Sequence, residues 1–120
     1  MMVMKTIENL SIWWTDVKLE KLIDGQLILS EDSFERPVII IDNQAFLVLK
    51  ITSRNGHEGY PIQDWREAGL SRPSYIRTDA LVPVHRSDMK HEMGFLSERD
   101  IEGFLQYLGE NPPKRIMKFP

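Results

Sequence analysis

At 120 residues, with a formal net charge of -3 and no cysteine, the chain excludes a disulfide framework and a thiol nucleophile, and its charge argues against nonspecific coating of nucleic acid, which needs many Lys and Arg to neutralise phosphates. The 42% hydrophobic and 28% charged composition is that of one globular domain, long enough to remove roughly two-thirds of its unfolded surface from water. No apolar run approaches the roughly 20 residues of a membrane helix, and residues 1–5 lack the apolar stretch and cleavage site of a secretory signal, so a cytoplasmic location without membrane association is expected.

Residues 7–23 fit two periods. Ile7, Leu10, Trp14, Val17 and Leu22 would line one side of a helix, but Ser11-Ile12-Trp13-Trp14-Thr15-Asp16-Val17 is rich in β-favouring residues, and a strand is expected over residues 12–17. Asp24-Gly25 signals a turn. Residues 26–30 read as a short strand or covering loop, and Glu31-Asp32-Ser33 as loop. Pro37 is placed at the opening of a strand, where a missing N–H costs nothing, and Val38-Ile39-Ile40-Ile41 as its core, buried on both faces. Asp42-Asn43-Gln44 closes a hairpin. On the return strand Phe46, Val48, Lys50 and Thr52 share one face, and Leu47, Leu49, Ile51 and Ser53 the other. The apolar second set points to the core, which turns Thr52 outward beside Lys50.

Residues 54–59, with two glycines, read as a mobile loop. Asp64 is placed as cap of a single helical turn through Trp65, Arg66, Glu67 and Ala68, ended by a left-handed Gly69. Ser71-Arg72-Pro73 is a further turn. Residues 75–84 read as one or two strands, with Tyr75, Arg77 and Asp79 on one face and Ile76, Thr78 and Ala80 on the other. The clearest helix starts at the N-cap Ser97, with Asp100 three residues on, and shows Ile101, Phe104, Leu105 and Leu108 as an apolar stripe before Gly109 and Pro112-Pro113. Residues 110–120 are expected to be a peripheral tail. The sum is a single domain, mainly β with a C-terminal helix, small, mostly antiparallel and partly barrel-like.

Little of the chain looks like chemistry. The three histidines, His57, His85 and His91, have no metal-ligand spacing, and neither a G-x-S-x-G elbow nor a phosphate-cradling P-loop is present, so no metal or other cofactor is expected. The exception is Arg36, at the mouth of one strand, with Thr52-Ser53 at the exit of the next. A guanidinium makes bidentate contacts with a phosphoryl group, and adjacent hydroxyls can orient the same oxygens. An Arg beside Glu35 at a sheet edge and a Thr in a strand also have ordinary structural roles. Other positive charge, at Arg66, Arg72, Arg77, Arg86, Lys90 and in Lys114-Arg115-Ile116-Met117-Lys118, is mostly what a solvated surface carries.

The succession Arg36-Pro37-Val38-Ile39-Ile40-Ile41, Lys50-Ile51-Thr52-Ser53, Trp65-Arg66-Glu67-Ala68-Gly69-Leu70, Ser74-Tyr75-Ile76-Arg77-Thr78-Asp79 and Met93-Gly94-Phe95-Leu96-Ser97, over residues 35–108, resembles the PemK/MazF family of toxin endoribonucleases. The resemblance implies a small SH3-like antiparallel β-barrel of the PemK/MazF/CcdB type that forms a homodimer, is neutralised by a cognate antitoxin and cleaves single-stranded RNA without a metal. It makes Arg36 and Thr52 the catalytic pair and Ser53 a supporting phosphate ligand, with Lys50, Arg77, Trp65 and Tyr75 as further phosphate or RNA contacts and Tyr60 as another candidate for base stacking. The implied reaction is attack of a ribose 2′-hydroxyl on its own 3′-phosphate, leaving a cyclic phosphate and a 5′-hydroxyl. Residues 18–35 take the place of the family's loop over the substrate. Two other readings stay open: a non-catalytic SH3-like protein-binding module, and a topoisomerase-poisoning toxin of the same fold.

Overall fold

A computed structural model describes residues 6–54 and 58–119; the readings made for residues 1–5 and for His57 lie outside the described residues. The chain begins with a long antiparallel hairpin, β1 (Ser11–Ile23) and β2 (Gln26–Asp42). Asp24 and Gly25 join the strands with φ of 49° and 76°, the left-handed pair that matches strand twist in a two-residue turn. The turn signal was sufficient, and of the two readings open for residues 26–30 the strand is the observed one; Glu31-Asp32-Ser33, expected as loop, and the flanking residues set in place of the family's loop are strand as well. Its charges are cross-strand partners. Lys18 lies opposite Ser33 and bonds the Glu31 carbonyl at 3.1 Å, and Lys21 pairs with Asp32. Opposite charges on facing strands support a ladder, although the composition reads as loop. Pro37 is likewise inside β2, not at its start; pairing with the next strand begins one residue later, at Val38.

That strand is β3 (Leu47–Thr52), held in register by Val38↔Lys50, Ile39↔Leu49 and Ile40↔Val48. Asp42 closes the turn by accepting from the Gln44 and Ala45 N–H groups. β4 (Tyr60–Pro61) and β5 (Tyr75–Ile76) extend the sheet beyond the end of β3, and β6 (Ala80–Pro83) pairs with its beginning. β7 (Met89–Phe95), not foreseen as a strand, covers the other edge of β1. The result is a mainly antiparallel, curled half-barrel sheet in the order β4-β5-β3-β2-β1-β7, with one helix, α1 (Glu98–Glu110), near the C-terminal end. Among the described residues no helix is long and apolar enough to cross a membrane.

Both faces of this sheet carry a core. Trp13, Val17, Val38, Ile40 and Val48 pack on one side with Val82 and Met117; Ile12, Ile39, Leu49 and Ile51 pack on the other with Ile76 and Phe104. Double coverage overturns the expectation that Thr52 looks outward. Thr52 and Lys50 are each only 7% exposed, and Lys50 Nζ meets Glu20 Oε1 at 2.8 Å in a nearly buried ion pair. The tail is not peripheral either. β8 (Arg115–Ile116) adds in parallel to β6, Met117 is buried, and the Phe119 ring stacks on His85 at 4.2 Å.

Helix α1 keeps its expected cap, the Ser97 hydroxyl accepting from Asp100 N–H, and buries Phe104 completely. Leu105, expected in the packed stripe, is 49% exposed, and Tyr107 packs in its stead. Asp100 does more than cap. Fully buried, it accepts from Tyr60 OH (2.7 Å), Gln63 N–H (2.9 Å) and Asp64 N–H (2.8 Å), pinning the turn over residues 63–69 to the helix start. In that turn the Asp64 side chain caps nothing; it receives Ser97 Oγ–H and two bonds from Arg99. Gly69 has the expected positive φ of 83°, and a Cβ there would lie 2.0 Å from the Met93 carbonyl oxygen on β7.

Candidate anion-binding cleft

The site arises where β2 and β3 part. Their ladder ends at Val38↔Lys50, and the next alternate residues on each strand, Arg36 and Thr52, therefore share one face. The Arg36 guanidinium reaches across the gap, Nη2 donating to the Ile51 carbonyl at 3.4 Å. Thr52 Oγ1 accepts from Arg54 N–H at 3.3 Å, which leaves its own hydroxyl hydrogen to be donated. The two side chains line a cleft of about 350 Å3 together with Ser53, Arg54, Arg72 and Trp14. A second hollow of about 270 Å3 is lined by Arg36, Thr52 and Arg54 again, now with Phe34 and Arg77. Four arginines thus border one split in a chain whose net charge is negative.

Charge crowding marks Arg36. Burial holds its guanidinium below the ordinary value, the nearby Arg77 charge pushes the same way, Asp79 opposes them, and Arg54 adds a further repulsion. Its Nε is buried with no hydrogen-bond partner, while the guanidinium carbon stands 4.9 Å from the Phe34 ring centroid. Arg77 is tied to Asp79 at 2.7 Å through Oδ2, and Asp79 Oδ1 is buried without a partner. Burial raises the Asp79 carboxyl, but the charge and hydrogen bond of Arg77 outweigh it and leave the group below its ordinary range. An unpartnered buried donor costs on the order of 1–3 kcal/mol. Here that donor belongs to a cation at the wall of an open cleft.

Of the other residues singled out from sequence, Ser53 lines the larger cleft and Arg77 the smaller. Lys50 shares the Thr52 face but is committed to Glu20 and lines neither hollow. Tyr75 is half-buried opposite Thr52 on β5, outside both linings. Trp65 packs against the core under the Arg66 guanidinium, away from the cleft, and Tyr60 is buried with its hydroxyl on Asp100. Burial and the Asp100 carboxylate push the Tyr60 phenol up to about 12. Trp14, Phe34, Arg54 and Arg72 are the lining residues that sequence reading passed over. The register points to two of them, since Trp14 faces Pro37 and Phe34 is two residues before Arg36, but it becomes informative only once residues 26–36 are known to be strand.

Neither a family model nor a curated protein matches the chain.

Proposed function

We propose that the protein is a metal-independent endoribonuclease of the PemK/MazF type, the toxin of a toxin-antitoxin pair, built on an SH3-like barrel and cutting single-stranded RNA at the Arg36–Thr52 site. The observation that carries this reading is the pairing itself: a guanidinium with an unpartnered Nε and a strand-borne hydroxyl on one face of a cationic cleft. Arg36 donates to the non-bridging oxygens of the phosphate, and Thr52 and Ser53 orient them. As the ribose 2′-oxygen bonds to phosphorus its proton passes to water in the open cleft. The bond from phosphorus to the 5′-oxygen breaks, the leaving oxygen takes a proton from water, and the Arg36 guanidinium balances the charge that builds on the phosphorane. A cyclic phosphate and a 5′-hydroxyl remain. DNA lacks the nucleophile.

The same reading carries a homodimer and a cognate antitoxin that occupies the cleft. Its test is incubation of the purified protein with long single-stranded RNA in EDTA. Cuts at a short recurring sequence, slowed roughly 100- to 1000-fold by Arg36→Ala, are expected for loss of one preorganised donor. Intact RNA at high protein concentration overturns the reading and favours a non-catalytic binding module.

A further inference from the structure

The two hollows lie on opposite faces of the split sheet. Alternation from Val38↔Lys50 puts Phe34, Arg36 and Thr52 on one face and Trp14, Glu35, Pro37 and Ile51 on the other. The smaller hollow draws its β2 and β3 residues from the first set only. The larger takes all of the second set and reaches Arg36, Thr52 and Arg54 through the gap. Arg36 and Thr52 are therefore a saddle, open on both sides, with one aromatic ring on each slope.

The slopes differ in chemistry. On the Trp14 side the ring is half-buried between Pro37 on β2 and His91 on β7, and the His91 ring lies within 20° of parallel at 6.5 Å. Ser71, Arg72 and Glu35 line the same hollow, which provides hydroxyl, guanidinium and carboxylate groups able to tell base edges apart. On the Phe34 side the ring is 43% exposed with Arg36 against it, and the remaining lining is Thr52, Arg54 and Arg77. Rings and cations of that kind hold any base by stacking and charge, with little regard to sequence.

We infer that the saddle seats a dinucleotide step of single-stranded RNA, its phosphate on Arg36 and Thr52, one base read selectively against Trp14 and the other held without selection against Phe34. This deepens the nuclease reading and rests on it for the identity of the polymer. It assigns Trp14 as the specificity-determining residue and makes the selectivity one-sided.

The test uses short 2′-O-methyl RNA oligomers of varied sequence, which have no free 2′-hydroxyl and cannot be cut, with binding followed by fluorescence anisotropy. The wild-type protein is expected to discriminate among sequences. Trp14→Leu, which keeps apolar volume but removes the ring, should bind the preferred sequence roughly 5- to 150-fold more weakly, the loss of one stacked base, and discriminate less. Trp14→Phe should retain most of both. Phe34→Leu should weaken every sequence by a similar factor and leave the order of preference intact. A folded Trp14→Leu protein, with a melting temperature near that of Trp14→Phe, that binds and discriminates like wild type overturns the inference; so does wild-type binding that ignores sequence, or no binding at all. Oligomers bound with the expected pattern while unmodified RNA stays intact would instead retain the two subsites and remove the nuclease reading.

Discussion

Replacing Asp100 should be among the most damaging single changes outside the two apolar cores. Its carboxylate is fully buried and accepts from Tyr60 OH and from the Gln63 and Asp64 N–H groups. Asp100→Ala leaves three donors without acceptors, each worth on the order of 1–3 kcal/mol, a total of about 3–9 kcal/mol. A domain of this size has roughly 5–15 kcal/mol to lose. Asp100→Asn keeps the Oδ1 acceptor for Tyr60 and Gln63 but turns an amide NH2 towards the Asp64 N–H, so about 1–3 kcal/mol is expected. Tyr60→Phe removes one donor and leaves the carboxylate with two, again about 1.5–3 kcal/mol for a bond to a charged group. Urea unfolding midpoints at constant slope measure all three. Because residues 63–69 lead directly into Leu70, Ser71 and Arg72 of the cleft wall, Asp100→Ala should also weaken the RNA binding proposed for the cleft more than the other two variants do. An Asp100→Ala protein within 1 kcal/mol of wild type would refute this account of how the turn is held.

Gly69→Ala should destabilise by more than the roughly 1–2 kcal/mol of a left-handed alanine, since the new methyl would meet the Met93 carbonyl at 2.0 Å; a melting temperature unchanged from wild type would show that β7 yields freely. Lys50→Ala should cost about 3–5 kcal/mol by leaving Glu20 buried and unpaired, and Lys50→Met with Glu20→Leu should recover most of it; equal denaturation midpoints for the single and double variants would contradict the pairing. The bonds from Arg99 and then Ser97 hold Asp64 at about 2, below its ordinary 3.8. A depressed carboxylate contributes stability that is present above the unfolded value and lost as pH falls through the folded one. Arg99→Gln should therefore flatten the acid limb of the stability profile between about pH 4 and 2, and superimposable limbs for the two proteins would rule that out.

Local signals that carry their own geometry were readable in the sequence. Asp24-Gly25 specifies its turn through φ, Ser97 its helix start through a hydroxyl, and the Val38-Ile39-Ile40-Ile41 run its central strand through burial on two faces. Signals with two meanings were misread. Glu31, Asp32 and Lys21 look like loop residues unless their cross-strand partners are known, and a strand edge tolerates them because the charges face one another. Lys50 shows the same limit at the site. It lies on the same face as Thr52 and appears available for phosphate, but its partner Glu20 is 30 residues away, on a strand that the reading had ended at residue 17. The short strands β7 and β8 are stabilised by docking on β1 and β6 and have weak patterns of their own. The Arg36 and Thr52 positions were accessible because each alternates from a recognisable apolar run; the arginines and aromatics around them, Trp14, Phe34, Arg54, Arg72 and Arg77, come from five separate segments that only the fold assembles.

The central claim, that a ribose hydroxyl is the nucleophile at the Arg36–Thr52 saddle, has a direct test once the cut sites are mapped. A single 2′-deoxy substitution is placed on the 5′ side of one mapped phosphate in an otherwise unmodified strand. The account predicts that cleavage disappears at that phosphate alone and continues at the others, each leaving a cyclic phosphate. A cut that persists at the deoxy position would contradict it.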